Sequence, residues 1–270
     1  MSQIQAFIFD QDGVIVDTER DGHRVAFNQT FAEFGFNVEW SVQEYHELLQ
    51  VGGGKERMTH YLNTKGFGAE INPDEVSDLI QRLHRRKTDI FIELIESGSL
   101  PLRPGVRRIM EEAVDLGLTI GVCTTSNERA ARAIAGTLLQ GIPFAFVLAG
   151  DVVPKKKPDP AIYLLGLERG GLLAEECVVF EDSHNGAVAA KAAGMHVVAT
   201  TNLYTEREDL SLADVIVTCL GDPNGPQAHL RSEARGLDLS DGCVHARDLI
   251  QLFGNATPPA VQARTWKPDA

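Results

Sequence analysis

Cysteine is scarce: Cys123, Cys177, Cys219 and Cys243 are the four in 270 residues, and no two form a Cys-x-x-Cys pair. Three of them sit in apolar runs, so they read as small buried hydrophobes in a reducing, cytoplasmic setting. Positive charge is also in deficit. There are 25 Lys and Arg against 38 Asp and Glu, for a formal net charge of −13. A surface that acidic argues against nucleic acid and anionic membranes as partners. It does not argue against a small phosphorylated substrate, because that contact is decided by local cations. No apolar stretch approaches the roughly 18 residues of a membrane helix. The first ten residues lack the basic-then-apolar order of a secretory signal, so none is expected. No Gly-x-Ser-x-Gly elbow is present, which removes the serine-hydrolase reading. Internal repeats are absent as well.

What the chain does contain is a series of short, continuous apolar runs: Ala6–Phe9, Thr119–Cys123, Phe146–Ala149, Cys177–Phe180, His196–Ala199 and Val215–Cys219. They show little polar alternation, as expected of parallel strands covered on both faces. Helical stretches lie between them, at Gly105–Leu116, Glu128–Leu139, Asp159–Arg169 and Gly186–Ala193. The alternation predicts an α/β fold with a doubly wound, mostly parallel, Rossmann-like sheet. It breaks once. Between Thr18 and Ser97 no strand is evident, and Leu79, Leu83, Ile90 and Leu94 keep a helical period. This predicts an all-helical cap at 18–97 inserted into a core made of 1–17 and 98–254. Two crossings, near Val16–Thr18 and Gly98–Pro104, would form a hinge. Gly221–Gly242 is expected to be a long surface loop, and 255–270 a C-terminal tail.

Four segments carry the chemistry. Phe7-Ile8-Phe9-Asp10-Gln11-Asp12-Gly13 ends a strand in two carboxylates, where open α/β sheets gather ligands. The two would repel unless a cation lay between them, and hard oxygen ligands favour Mg²⁺. One carboxylate could attack phosphorus while the other handles the proton. Thr124-Thr125-Ser126-Asn127 ends a second strand in donors suited to phosphate oxygens, although Ser126 or Asn127 could equally serve as a helix N-cap. Lys155-Lys156-Lys157-Pro158 places cations before a helix. Lys155 and Lys156 read as solvated surface, and Lys157, fixed by the proline, reads as a site cation. Glu181-Asp182-Ser183 ends a third strand in acids. So many carboxylates in one cleft need both a divalent ion and a lysine, which is the reason to treat the four segments as one site.

In that order, and with a helical insert after the first, these segments resemble the haloacid dehalogenase-like hydrolase superfamily over about residues 4–220. The resemblance implies Asp10 as nucleophile and Asp12 as general acid/base. It implies Thr124 on the transferring phosphoryl group and Lys157 on its charge. A Mg²⁺ shell would come from Asp10, the Asp12 carbonyl, Asp182 and Glu181, the last directly or through water. A second aspartate at position 12 suits phosphatases and phosphomutases. The insert's position is similar to that of the β-phosphoglucomutase and phosphoglycolate phosphatase group.

Asp17-Thr18-Glu19, His23-Arg24, Gly52-Gly53-Gly54-Lys55-Glu56-Arg57 and Leu102-Arg103-Pro104 further resemble CbbY-type proteins. That branch implies xylulose 1,5-bisphosphate as substrate and xylulose 5-phosphate as product. The short terminus, without an Arg- and Ser-rich leader, resembles that of bacterial members more than of imported plastid ones. Glu19 and His23, four apart, could share a helix face and bind sugar hydroxyls, or be an ordinary exposed pair. The glycine triplet ending in Gly54 could approach an anion closely, or be a hinge. Lys55 and Arg57 are the first candidates for a second phosphate, with Arg24 and Arg103 behind them. A monomer or weak oligomer is expected.

Overall fold

The computed structural model describes residues 3–51, 54–232 and 237–254. Gly52 and Gly53 of the glycine triplet, and the expected tail at 255–270, lie outside the described residues. Six parallel strands form one sheet: β1 (Ala6–Phe9), β2 (Thr119–Cys123), β3 (Phe144–Leu148), β4 (Cys177–Glu181), β5 (His196–Thr200) and β6 (Val215–Val217). Their spatial order is β3-β2-β1-β4-β5-β6, so the chain winds outward in both directions from β1. Between β1 and β4 the strand order reverses, and a crevice opens there beyond the carboxyl ends.

β1 is buried over its whole length. Its side chains divide by face. Phe7 and Phe9 join the cluster of Val106, Ile109 and Phe180 on one side, with the Phe9 and Phe180 rings stacked at 4.3 Å. Ala6 and Ile8 join Tyr163, Val179 and Ala187 on the other. Burial on both faces is why the strands lack polar alternation.

The helices of the core are α5 (Val106–Asp115), α6 (Glu128–Ala133), α7 (Ala161–Gly170), α8 (His184–Ala192) and α9 (Ala246–Gly254). Several limits differ from the sequence expectation. β3 starts two residues early, at Phe144, which pairs with Ile120. β6 stops at Val217, where Thr218 turns its amide to the His229 carbonyl. α8 starts at His184 because the Ser183 hydroxyl accepts from the Gly186 amide at 3.1 Å and sets the N-cap. The stretch read as one helix from Glu128 is divided, α6 giving way to a π-helical turn at Ile134–Leu138.

Between β1 and α5 the described residues contain no strand. The chain forms a π-helical turn (Thr18–His23), α1 (Arg24–Glu33), α2 (Val42–Leu48), α3 (Gly54–Thr64) and α4 (Val76–Glu96). Phe27, Phe31, Trp40, Tyr45, Met58, Phe67 and Leu83 make an aromatic-rich cluster within this segment. α4 spans two environments. Ile80 and Leu83 enter that cluster, whereas Ile90, Phe91, Ile92 and Ile95 pack into the cluster on the sheet.

The described residues of 221–242 form the irregular surface loop expected, and it is pinned at several points. Ala228 donates to the Gly242 carbonyl at 2.7 Å, Arg108 donates to the carbonyls of Leu220, Gly221 and Val244, and Ala228 and Leu237 are buried. Residues 233–236 lie outside the described residues. Among the described residues no helix is long and apolar enough to cross a membrane.

Candidate active site

Parallel pairing fixes the site. Phe9 is in register with Val122 on one side and Phe180 on the other, so Asp10 follows β1 between the ends of β2 and β4. The Asp10 amide donates to the Phe180 carbonyl at 2.9 Å and holds it there. Lys157 reaches this point from the loop before α7. Its ammonium lies 2.6 Å from Asp10 Oδ1, 2.6 Å from Glu181 Oε1 and 3.0 Å from the Cys123 carbonyl. Asp182 completes the group: carboxylate oxygens of Asp10, Glu181 and Asp182 all lie within 4.8 Å of one another, and all three residues are buried.

One ammonium cannot neutralise three buried carboxylates. Burial, then the neighbouring acids, push the Asp10 carboxyl upward against the pull of Lys157, and burial, Glu181 and Asp10 push Asp182 well upward. Burial alone would lower the Lys157 ammonium, but Asp10 and Glu181 outweigh it and raise it, so the lysine stays charged. Hard oxygen donors with about two uncompensated negative charges fit a small divalent cation.

Two glycines make this crowding possible. A Cβ on Gly13, which has φ +78°, would fall 2.0 Å from Asp182 Oδ2. A Cβ on Gly186, in the first turn of α8, would fall 2.0–2.1 Å from the three carboxylate atoms of Glu181. Glu181 is further held by the Tyr163 hydroxyl, and Asp182 by Asn202 Nδ2 at 2.7 Å.

Asp12 has its own hydroxyl partners, separate from the acidic triplet's. Thr18 Oγ1 donates to its Oδ1 at 2.7 Å, and the Ser126 hydroxyl donates to its Oδ2. Thr124 is buried at the end of β2, its hydroxyl accepting the Ser126 amide at 3.2 Å. Thr125 is half-buried beside it. Asn127 turns out to be the N-cap of α6, accepting from Arg129 and Ala130, while Ser126 is committed to Asp12.

The helical segment adds a polar group of its own. Glu19 accepts from the Tyr45 hydroxyl at 2.6 Å, and Arg57, buried, donates to that hydroxyl at 2.9 Å and to the Leu48 carbonyl at 3.1 Å. Lys87, also buried, lies 3.0 Å from His23 Nδ1. Burial, then Lys87 and Arg57, hold the His23 imidazole well below its usual range, so it is neutral. Burial draws Lys87 down to about 8, opposed by the charges of Glu19 and Asp12. Glu19 and His23 belong to a π-helical turn, so their alignment is not that of an α-helix face.

Lys55 is exposed and Gly54 half-buried. Arg24 donates to the carbonyls of Arg20 and Trp40 at 3.2 Å each. Arg103, the reserve phosphate candidate, directs three of its five N–H donors to the carbonyls of Gly13, Thr201 and Thr218, where it fixes the turn after Asp10.

Sequence reasoning missed Tyr163, Asn202, Tyr45, Thr18 as an Asp12 partner, and Lys87. Asn202 follows the end of β5, so the strand-end rule that found the other segments could have found it. Lys87 follows Arg85-Arg86 and reads as a solvated run; no local signal marks it as buried.

A family model described as haloacid dehalogenase-like hydrolase matches residues 4–194. The chain belongs to this family. Within the haloacid dehalogenase-like hydrolases it lies on the CbbY-like branch. A CBBY-like protein of Arabidopsis thaliana is 50% identical over 222 residues, covering 81% of this chain and 70% of that one. Protein CbbY of Rhodobacter capsulatus is 40% identical over 215 residues, covering 78% and 92%. The crystal structure of CbbY from Rhodobacter sphaeroides in complex with phosphate is 36% identical, with a TM-score of 0.63 and coverage of 82% and 97%. A mutant of that protein, solved with xylulose 1,5-bisphosphate, gives the same figures.

Proposed function

We propose that this hydrolase is a Mg²⁺-dependent sugar phosphatase working through a phospho-aspartate at Asp10, with xylulose 1,5-bisphosphate as its leading substrate. The observation that carries the reading is the meeting of Asp10, Lys157, Glu181 and Asp182 at adjacent strand ends, with Asp12 two residues after Asp10. The CbbY structure holding xylulose 1,5-bisphosphate supports the choice of sugar.

Asp10 and Asp182, with Glu181 directly or through water and the Asp12 carbonyl, would hold Mg²⁺, which neutralises charge around the phosphoryl group. Asp10 Oδ attacks phosphorus in line, and the bond from phosphorus to the sugar oxygen breaks. Asp12 gives its proton to that oxygen, which leaves as an alcohol. Lys157 and the Thr124 hydroxyl hold the phosphoryl oxygens. Asp12, now ionised, takes a proton from water as the water attacks phosphorus. Phosphate leaves and Asp10 is regenerated. The hydroxyls of Thr18 and Ser126 orient Asp12 for both transfers. Such a reaction requires roughly 20 kcal/mol of barrier lowering or more, from electrostatics and positioning together.

Residues 18–97 would act as the cap. Glu19 and His23 would meet sugar hydroxyls, and Lys55 and Arg57 the second phosphate. The cap would close over a core of 1–17 and 98–254.

The test is phosphate release across a panel of mono- and bisphosphorylated pentoses and hexoses. Xylulose 1,5-bisphosphate should give the highest kcat/KM, chelation should abolish turnover, and Asp10→Asn should lose at least about 1,000-fold with the fold retained. Sugar-phosphate isomers formed without free phosphate would make the enzyme a mutase instead. Substantial turnover by pure Asp10→Asn would remove the nucleophile assignment.

A further inference from the structure

The second cluster of metal-ligating side chains lies outside the acidic triplet and beyond the residues matched by the family, in the segment that leads into α9. Asp241, Cys243 and His245 alternate through the turn that precedes α9, and each offers a ligand atom within 4.8 Å of the other two. The side chains are already arranged around His245. Its Nε2 lies 2.8 Å from Asp241 Oδ2, and its Nδ1 lies 3.0 Å from Glu112 Oε1 on α5. The second contact is the geometry by which a carboxylate orients a metal-bound imidazole: with the Nδ1 proton directed to Glu112, Nε2, now paired with Asp241 Oδ2, is the nitrogen left to a metal once that pairing opens.

An independent observation concerns the thiol. Cys123, Cys177 and Cys219 each donate Sγ–H to a backbone carbonyl, of Ile162, Leu173 and Gln227 respectively. Cys243 is fully buried, yet its thiol has no hydrogen-bond partner among the described residues, and it is aimed at Asp241 and His245. The charges also balance. A thiolate at Cys243 with the carboxylates of Asp241 and Glu112 gives three negative charges. Arg108, 2.6 Å from Glu112 Oε1 and 3.4 Å from His245 Nδ1, cancels one and leaves two. A cleft of about 410 Å³, whose lining includes Glu112, Asp115 and Asp248, opens beside His245 and gives a cation an acidic approach.

We propose that Asp241, Cys243 and His245 form a zinc-class metal site that staples the C-terminal helix to α5. A sulfur–nitrogen–oxygen set selects a borderline-soft ion over Mg²⁺, so this site and the oxygen-only site would not compete for the same metal. Tetrahedral bonds of about 2.0–2.3 Å set the ligand atoms roughly 3.3–3.8 Å apart, so the 2.8 Å His245–Asp241 contact opens as the metal enters, by side-chain rotation. The metal replaces the His245–Asp241 contact, the Cys243 proton leaves to solvent, and the fourth position faces the cleft. Glu112 already accepts from the Ala246 amide at 2.9 Å, so the same carboxylate that orients His245 also caps α9. The site therefore joins α9, α5 and the turn at 241–243.

The experiment titrates the full chain, thiols reduced and Mg²⁺ in excess, with Co²⁺ and then Zn²⁺. One equivalent of Co²⁺ should give thiolate-to-cobalt charge-transfer absorption in the near ultraviolet, and one equivalent of Zn²⁺ should abolish it and raise the melting temperature. The band should vanish in Cys243→Ser and persist in Asp10→Asn. Glu112→Gln should weaken binding about 10–100-fold. His245→Gln, checked for its fold by circular dichroism, gives the same loss of the band should Cys243→Ser fail to fold. Both cysteine and histidine variants should keep Mg²⁺-dependent turnover. Absence of the band in the wild type, or its survival in either variant, overturns the proposal.

Discussion

Gly186→Ala adds one methyl group in a helix, where alanine is ordinarily favoured by about 1 kcal/mol. Here the sign should reverse. The new Cβ would stand 2.0–2.1 Å from Cδ, Oε1 and Oε2 of Glu181, closer than any non-bonded approach allows. Two responses are open. The first turn of α8 could move outward, but it is tied by the Ser183 cap and by the His184 amide, which donates to Glu208 at 2.6 Å. Overpacking of that kind costs about 1–3 kcal/mol. Alternatively the Glu181 carboxylate rotates away, leaving the Lys157 ammonium and the Tyr163 hydroxyl. Breaking a buried charged pair costs about 3–5 kcal/mol. Moving the helix start would add the loss of the Ser183 cap, about 1 kcal/mol, and of the charged His184–Glu208 bond, about 1.5–3 kcal/mol, so rotation of the carboxylate is the cheaper response and its figure applies. At roughly 2 °C per kcal/mol for a chain of this size, the melting temperature should fall by about 6–10 °C. Turnover should fall too, since Lys157 loses one of the two anions that position it. The control is Gly136→Ala, at an exposed glycine where the added methyl would meet nothing within 4 Å, and it should be neutral or slightly stabilising. Thermal melts and urea unfolding of both variants, with and without Mg²⁺, decide the matter. If Gly186→Ala melts within about 1 °C of the wild type and keeps its turnover, Glu181 is not packed against α8 as described, and the reasoning fails.

Three further outcomes follow from the electrostatics. Asp10 and Asp182 are pushed upward by burial and by neighbouring acids, so above the ordinary carboxylate range the folded chain binds more protons than the unfolded one. Chelated protein should therefore lose stability as pH rises from about 4 towards 8, and Mg²⁺ should flatten the slope; a melting temperature that rises over this range in chelator contradicts it. Lys87, drawn down to about 8 by burial, is neutral when folded while still charged when unfolded between pH 8 and 10, so the wild type should gain up to about 3 kcal/mol there relative to Lys87→Met; parallel urea midpoints for the two would refute this. Lys55→Ala should raise KM for a bisphosphate about tenfold and leave a small generic phosphate ester nearly untouched, and equal losses on both would remove Lys55 from the substrate site.

How far the sequence could be read depended on whether the decisive force was local. Asp10, Thr124 and Asp182 were legible because each follows an apolar run that could only be a buried parallel strand, and parallel strands align their ends. Lys157 was legible because a proline fixes it and because the acids need a cation. Tyr163 and Lys87 were not, since both sit on helices whose neighbours are set by packing between elements far apart in the chain. The carbonyl partners of Arg103 were hidden for the same reason. A cation near the site looks like a phosphate ligand until the carbonyls of Gly13, Thr201 and Thr218 take three of its five donors, and those carbonyls come from three separate loops. The 221–242 stretch was legible as a surface loop but its anchoring was not, because glycine and proline report the lack of regular structure, not the lack of anchoring. Its anchors are backbone carbonyls, which every residue carries and no composition reveals. Charge therefore divides into two kinds here. Carboxylates at strand ends announce themselves because topology leaves them no other place, whereas cations on long side chains are committed only after packing has decided which anions or carbonyls are left without a partner.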